Sequence, residues 1–263
     1  MSKLFSKLFS HGVILLTRAI LQPFRVKTAV LRIGSEYGGW KLVPPQLEDK
    51  ASEIFSFGLG EDASFDIEFC DLFGMHVHVC DPTPRAYSHF NEISTNFGKP
   101  KTTPYSNTGK QEVTSYPLLN VDSLLISFHP YAIWNQTGLI RLYFPSNPDS
   151  VSLSVEPKNA NNNSCGIIDA KCIRVPDLVA SLGIKKIELV KLDIEGAELP
   201  VLEDMLSNKI FPRQILVEFD FLLTPRVPSV LHFIQVLNLI WKSNYRMFAY
   251  DYPRNFSFIR VGN

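Results

Sequence analysis

The chain has 263 residues, of which 45% are hydrophobic, 20% charged and 12% aromatic. That is enough apolar mass for one large core and too much for a disordered, collagenous or low-complexity chain. Lys plus Arg equals Asp plus Glu at 26 each, so no global field gathers a polyanion such as nucleic acid.

The first 33 residues carry Lys3, Lys7, Arg18, Arg25, Lys27 and Arg32 before the first acid, Glu36. Their longest apolar run, 13–16, is far short of the ~20 residues that cross a bilayer, and no small-residue cleavage site follows it. Leu4, Phe5, Leu8, Phe9, Val13, Leu16 and Ile20 recur every three or four residues, which predicts an amphipathic helix with a basic face over 1–33, ahead of a domain over 34–263. Such a helix can lie on an anionic membrane surface, or pack on its own domain or a partner subunit.

Residues 54–57 predict a strand that ends in Gly58-Leu59-Gly60, and 63–73 a helix with Phe65, Ile67, Phe69 and Phe73 at helical spacing. Residues 76–80 predict a second strand, stopped by Asp81-Pro82, and 84–96 a second helix. The stretch 98–116, rich in Lys, Thr, Pro, Ser and Asn, reads as a loop of the length that often covers a site. A third strand follows at 124–128, then edge-like strands at 139–144 and 151–155 and a polar loop at 159–164. Residues 175–182 predict a helix, 187–192 a buried strand, 199–206 a helix, 214–219 a strand and 228–243 a helix. A closing hairpin spans 245–261 around Pro253-Arg254-Asn255. Alternating strands and helices predict an α/β, doubly wound, mostly parallel sheet with a C-terminal antiparallel hairpin. Four cysteines, Cys70, Cys80, Cys165 and Cys172, lack Cys-x-x-Cys spacing and read as buried thiols of a reducing, cytoplasmic compartment; no metal-ligand spacing stands out.

The turn Gly58-Leu59-Gly60-Glu61-Asp62-Ala63 satisfies G-x-G-x-x-A, and Asp81 ends the next strand about twenty residues later, where an acid can hydrogen-bond a ribose diol. A nucleoside cofactor is implied. The alternatives are a purely structural glycine turn and an Asp-Pro helix start. Glu61 and Asp62 would put carboxylates beside the pyrophosphate of NAD, whereas S-adenosylmethionine brings a sulfonium and an ammonium, so an acidic loop favours the sulfonium cofactor.

Val190-Lys191-Leu192-Asp193-Ile194-Glu195-Gly196-Ala197-Glu198 places carboxylates at the carboxyl end of a central strand. VKLDIEGAELPVL closely resembles the signature of the FkbM-type S-adenosylmethionine-dependent methyltransferases. VHVCDPTPRAYSHF resembles their second-strand segment, in which an acid followed by Pro meets the cofactor ribose. The resemblance spans roughly 54–261 and implies a seven-stranded Rossmann-like methyltransferase sheet that O-methylates a hydroxyl, often on a sugar, glycan or secondary metabolite. The family usually opens with Asp-x-Gly-Ala-Asn-x-Gly, whereas here Ser56 stands for the first acid and Asp62 for the last glycine, which marks a divergent branch.

On that resemblance Ser56, Gly58, Gly60, Glu61, Asp62 and Asp81 are candidate cofactor ligands, with Asp62 or Glu61 supplying the charge for the methionine amine. Asp193, Glu195 and Glu218 are candidate bases or substrate ligands, and His129 an outside choice. Each has a structural alternative: helix capping for Asp193, dipole-favourable first-turn acids for Glu195 and Glu198, a solvated strand end for Glu218 and an ordinary loop residue for His129. Trp134 is a candidate to stack on adenine, with core packing the stronger alternative. Lys191, inside an apolar strand, is expected to snorkel or pair with a carboxylate. An NAD-dependent oxidoreductase and a non-catalytic methyltransferase-like binding module remain as competing functions.

Overall fold

The computed structural model describes residues 25–46, 52–143, 166–223, 227–251 and 254–262, with Gly12 and Leu15, both helical, standing apart. The strand expected at 151–155, the loop at 159–164, Cys165 and most of the N-terminal helix lie outside the described residues. The strands are β1 (Leu31–Ile33), β2 (Trp40–Leu42), β3 (Glu53–Phe57), β4 (Val77–Cys80), β5 (Ile126–His129), β6 (Ala132–Ile133), β7 (Gly138–Tyr143), β8 (Ile167–Ile173), β9 (Ile187–Leu192), β10 (Gln214–Glu218), β11 (Tyr245–Asp251) and β12 (Asn255–Arg260). The helices are α1 (Ser64–Phe73), α2 (Pro84–Ser94), α3 (Val175–Leu182), α4 (Glu198–Ser207) and α5 (Val227–Lys242).

Seven strands form the main sheet in the order β11-β12-β10-β9-β3-β4-β5. Its central pairs are parallel, and β12 is antiparallel to both β10 and β11. Side chains alternate across it. Phe55 and Phe57 join Val190, Leu192, Ile215 and Val217 in one apolar layer with α3, α4 and α5, while Ile54, Val77, Val79 and Leu189 meet α1 and α2 in the other. Because both faces are covered, these strands read as continuous apolar runs rather than alternating ones.

Helix ends follow local chemistry. Thr83 caps α2, its Oγ1 accepting from Ala86 N at 3.2 Å with Pro84 in the first turn, and Gly74 and Gly183 end α1 and α3 in the left-handed conformation.

Two features depart from the sequence reading. Residues 31–33 are a strand rather than helix: β1 pairs with β2 and the hairpin is fastened to α1, where Ser35 N donates to Ser64 Oγ at 2.7 Å and Gly34 N to Glu68 Oε2 at 2.6 Å. The boundary expected between 33 and 34 therefore falls inside this hairpin. The edge-like strand at 139–144 is β7 of a separate three-stranded sheet ordered β6-β8-β7, whose members β6 and β8 carry too short or too polar a pattern to stand out. Cys70, Cys80 and Cys172 are buried free thiols. No helix among the described residues is long and apolar enough to cross a membrane.

Candidate active site

Strand order reverses between β3 and β9, and a cavity of about 570 Å³ opens outside their carboxyl ends, where open α/β sheets bind ligands. Gly58 leaves β3 at φ +87°, and a Cβ there would lie 1.8 Å from the carbonyl oxygen of Asp193. Only glycine lets these two backbones meet. Lys191, buried in β9, donates from Nζ to the carbonyl of Gly58 at 2.7 Å and to Ser56 Oγ at 3.4 Å, so it pins the turn rather than snorkelling.

Asp81 organises the same turn from β4. Its Oδ2 accepts from Leu59 N at 2.9 Å and Gly60 N at 3.0 Å, and its Oδ1 from Thr83 N at 2.8 Å. A carboxylate offers about four acceptor positions, so a further hydroxyl can still be bound from the cavity that Asp81 lines. Asp62 is engaged differently: Oδ1 accepts from Ser64 N, and Oδ2 from Ser35 Oγ at 2.6 Å and Gln111 Nε2 at 3.1 Å. It ties the β1–β2 hairpin and the 98–116 loop to the start of α1. Glu61 pairs with Lys110 at 3.2 Å and, more loosely, Arg85 at 3.8 Å.

The floor is acidic. Asp193, Glu195 and Glu218 line it, and Glu195 holds φ +53°, a left-handed conformation that is strained for a non-glycine residue. Burial raises the Asp193 carboxyl, with the Glu195 charge adding to it and Lys191 opposing. Burial and the Asp193 charge push Glu218 up to about 8 against the pull of Arg254, whose Nη2 lies 2.6 Å from Glu218 Oε1 and which also pairs with Asp220. Glu198 is pushed up to about 7 by burial and accepts from Gly196 N at 2.8 Å, bracing the turn into α4.

Of the residues singled out by sequence, Gly58, Gly60, Glu61, Asp62, Asp81, Asp193, Glu195 and Glu218 line the cavity. Ser56, His129 and Trp134 are not among its lining residues. Ser56 is fully buried beneath Lys191, Trp134 packs between the main core and the small sheet, and the His129 ring meets His78 on the sheet face. Sequence reasoning left two walls unassigned. Tyr37, Gly38 and Gly39 at the tip of the β1–β2 hairpin form one, and Arg254 forms the other. The Tyr-Gly-Gly-Trp run was the available signal for the first; Arg254 sits in a turn whose approach to Glu218 depends on strand order alone.

Eight acidic side chains, of which Asp193 and Glu218 are raised, and three cations (Arg32, Lys191, Arg254) line the cavity among the described residues. That balance fits a ligand with a sulfonium and an ammonium and disfavours a pyrophosphate. A doubly wound sheet closed by an antiparallel hairpin, with an acid-lined cavity at its switch point, makes a ligand-binding α/β domain whose site suits a cationic ligand better than a pyrophosphate. The methyltransferase FkbM domain family matches residues 60–247, and the chain belongs to that family. Its methyl donor is S-adenosylmethionine. No curated protein matches the chain. Among solved structures it is similar to the METTL16 MTase domain (11% identity, 97% of this chain and 81% of that one, TM-score 0.41). It is also similar to a chain of a fibrillarin/Nop5p complex (8%, 81% and 74%, TM-score 0.40) and to M. jannaschii TYW2 in complex with AdoMet (12%, 90% and 89%, TM-score 0.31). The family match, not these distant likenesses, identifies the class.

Proposed function

We propose that the protein transfers a methyl group from S-adenosylmethionine to a hydroxyl of a carbohydrate-like or other small-molecule acceptor, with Glu218 as general base. The observation that carries this reading is the pair of raised carboxyls, Asp193 and Glu218, at the ends of the neighbouring strands β9 and β10. A base poised near neutral pH accepts a hydroxyl proton with the greatest efficiency. The cofactor supplies an electrophilic methyl group when bound. The chain's own residues do the rest: Asp81 holds the ribose hydroxyls, the Gly58–Gly60 turn lets the backbone approach, and Asp193 and Glu195 offset the ligand's positive charge. Glu218 takes the proton from the attacking oxygen while Arg254 fixes its orientation.

The acid-rich cavity also supports an uncharged or cationic acceptor over a polyanion, and so argues against nucleic acid. It speaks equally against the NAD-dependent reading. Calorimetric titration with S-adenosylhomocysteine and, separately, NADH tests the cofactor; labelled S-adenosylmethionine with a panel of hydroxyl acceptors tests turnover, with Glu218→Gln as the control. Selective binding with turnover lost in the variant is the expected result. Binding without turnover on any hydroxyl acceptor would move the protein to the binding-module reading.

A further inference from the structure

Four polar side chains converge on the β3-β4-β5 edge of the sheet, on the face that carries Phe55 and outside the wall of the cofactor cavity. Glu53 begins β3, His76 precedes β4, His78 lies within β4 and His129 ends β5. Glu53 Oε2 lies 3.3 Å from His76 Nδ1 and 3.1 Å from His78 Nε2, and one ligand atom from each of the three residues falls within 4.8 Å of the others. Donors bound at ~2.0–2.2 Å to one first-row ion stand about 3.0–3.4 Å apart. Both edges to Glu53 already have that length.

The remaining ring nitrogens are also held. His76 Nε2 is 2.8 Å from Ser127 Oγ, and His78 Nδ1 is 3.1 Å from His129 Nε2. With Nε2 of His78 as a ligand atom, its proton resides on Nδ1 and is donated to His129, the outer hydrogen bond that orients metal-binding imidazoles. Access is one-sided: the Glu53 and His76 side chains are each 29% exposed, while His78 is 7% exposed at the base.

We propose that Glu53, His76 and His78 form a binding site for a divalent first-row transition cation of the Zn²⁺ class, with His129 as the positioning residue behind His78. Two imidazoles and one carboxylate suit that class, whereas Ca²⁺ and Mg²⁺ take oxygen ligands. Three protein ligands leave a fourth position for water on the exposed side. The ion joins two adjacent parallel strands, and the site stands independently of the methyl-transfer reading. Spacing hides it: His76-Val77-His78 puts two rings on one strand face, but the carboxylate comes from the neighbouring strand.

The test is titration of tag-free, chelator-stripped full-length protein with Zn²⁺ and with Co²⁺. One equivalent of either ion is expected, with Co²⁺ giving a visible ligand-field band. Glu53→Gln or His76→Gln should weaken binding by about 100-fold and His129→Asn by about 10–100-fold, while S-adenosylhomocysteine affinity, which reports an intact fold, stays at the wild-type value. X-ray absorption of the Zn²⁺-loaded wild type should show imidazole scattering from two rings. The proposal is overturned if neither ion binds stoichiometrically, if uptake is unchanged in Glu53→Gln and His76→Gln, or if the absorption spectrum shows no imidazole ligand.

Discussion

Gly58 and Asp193 touch backbone to backbone: a Cβ on residue 58 would stand 1.8 Å from the Asp193 carbonyl oxygen, and Asp193 N donates to the carbonyl of Phe57 at 3.0 Å. The cofactor-side turn after β3 and the acid-bearing turn after β9 are thus a single rigid unit. Gly58→Ala must break it, both by collision and because φ +87° disfavours any side chain. A loss of about 2 kcal/mol or more is expected, measured as a lower urea midpoint, together with loss of S-adenosylhomocysteine binding. An unchanged midpoint with normal binding would show that the two turns can separate.

Asp81→Asn keeps the size of the side chain but replaces a charge that accepts from three backbone N–H groups. Hydrogen bonds to a charged group contribute ~1.5–3 kcal/mol each, so the turn should loosen and, with it, the hold on the ribose proposed for Asp81. Calorimetry should find S-adenosylhomocysteine affinity reduced by about 10–100-fold. Retained affinity would assign Asp81 a purely structural part.

Glu218 sets the pH dependence. Its folded-state value of about 8 lies above the ordinary 4.5, so the folded protein binds this proton more tightly than the unfolded chain does. The stability it contributes is full below about pH 4.5 and is lost as pH rises to about 8. Denaturation midpoints across that window should therefore decline in the wild type and decline less in Glu218→Gln. With Glu218 as the proposed base, the methyl-transfer rate should run the opposite way, rising with pH as the base is freed and levelling above about 8. Arg254→Met removes the cation that lowers the Glu218 value, so it should move the rate inflection to higher pH. A rate profile flat from pH 6 to 9, on the order of the span that a base of this kind governs, would exclude Glu218 from proton transfer.

Tyr37, 65% exposed at the tip of the β1–β2 hairpin, lies at the cavity and packs against Gly109 of the 98–116 loop, where a Cβ would meet its ring at 2.7 Å. Tyr37→Ala should raise the KM for the acceptor while leaving S-adenosylhomocysteine affinity within about twofold, since Tyr37 enters the cavity from the β1–β2 hairpin rather than from the Gly58–Gly60 turn. Exchange of the 98–116 loop should change acceptor preference. If selectivity survives both changes, acceptor choice lies elsewhere on the wall.

The central sheet was legible because β3, β4, β9 and β10 are buried on both faces and so stand out as apolar runs, each followed by a turn residue such as Gly58 or Asp81. The three-residue strands β1 and β2 carry no period that a window can detect, and β8 alternates exposed Asp169 and Lys171 with buried Ala170 and Cys172. In the site, the residues that end strands or begin the next turn reached the cavity. Ser56 fails because it lies within β3, fully buried against the Lys191 ammonium, short of the strand's carboxyl end, and His129 fails because its ring turns along the sheet toward His78. Arg254 could not be paired with Glu218 without knowing that β12 lies beside β10.

That placement of β12 matters during synthesis as well. It leaves the ribosome after β11 yet sits between β11 and β10. A nascent chain halted before residue 255 leaves β10 as a bare edge and lacks Phe256 and Phe258, two fully buried rings of the core. Such an intermediate offers an unpaired apolar strand to neighbouring polypeptides, and it lacks the hairpin side of the site until the last strand has slotted in.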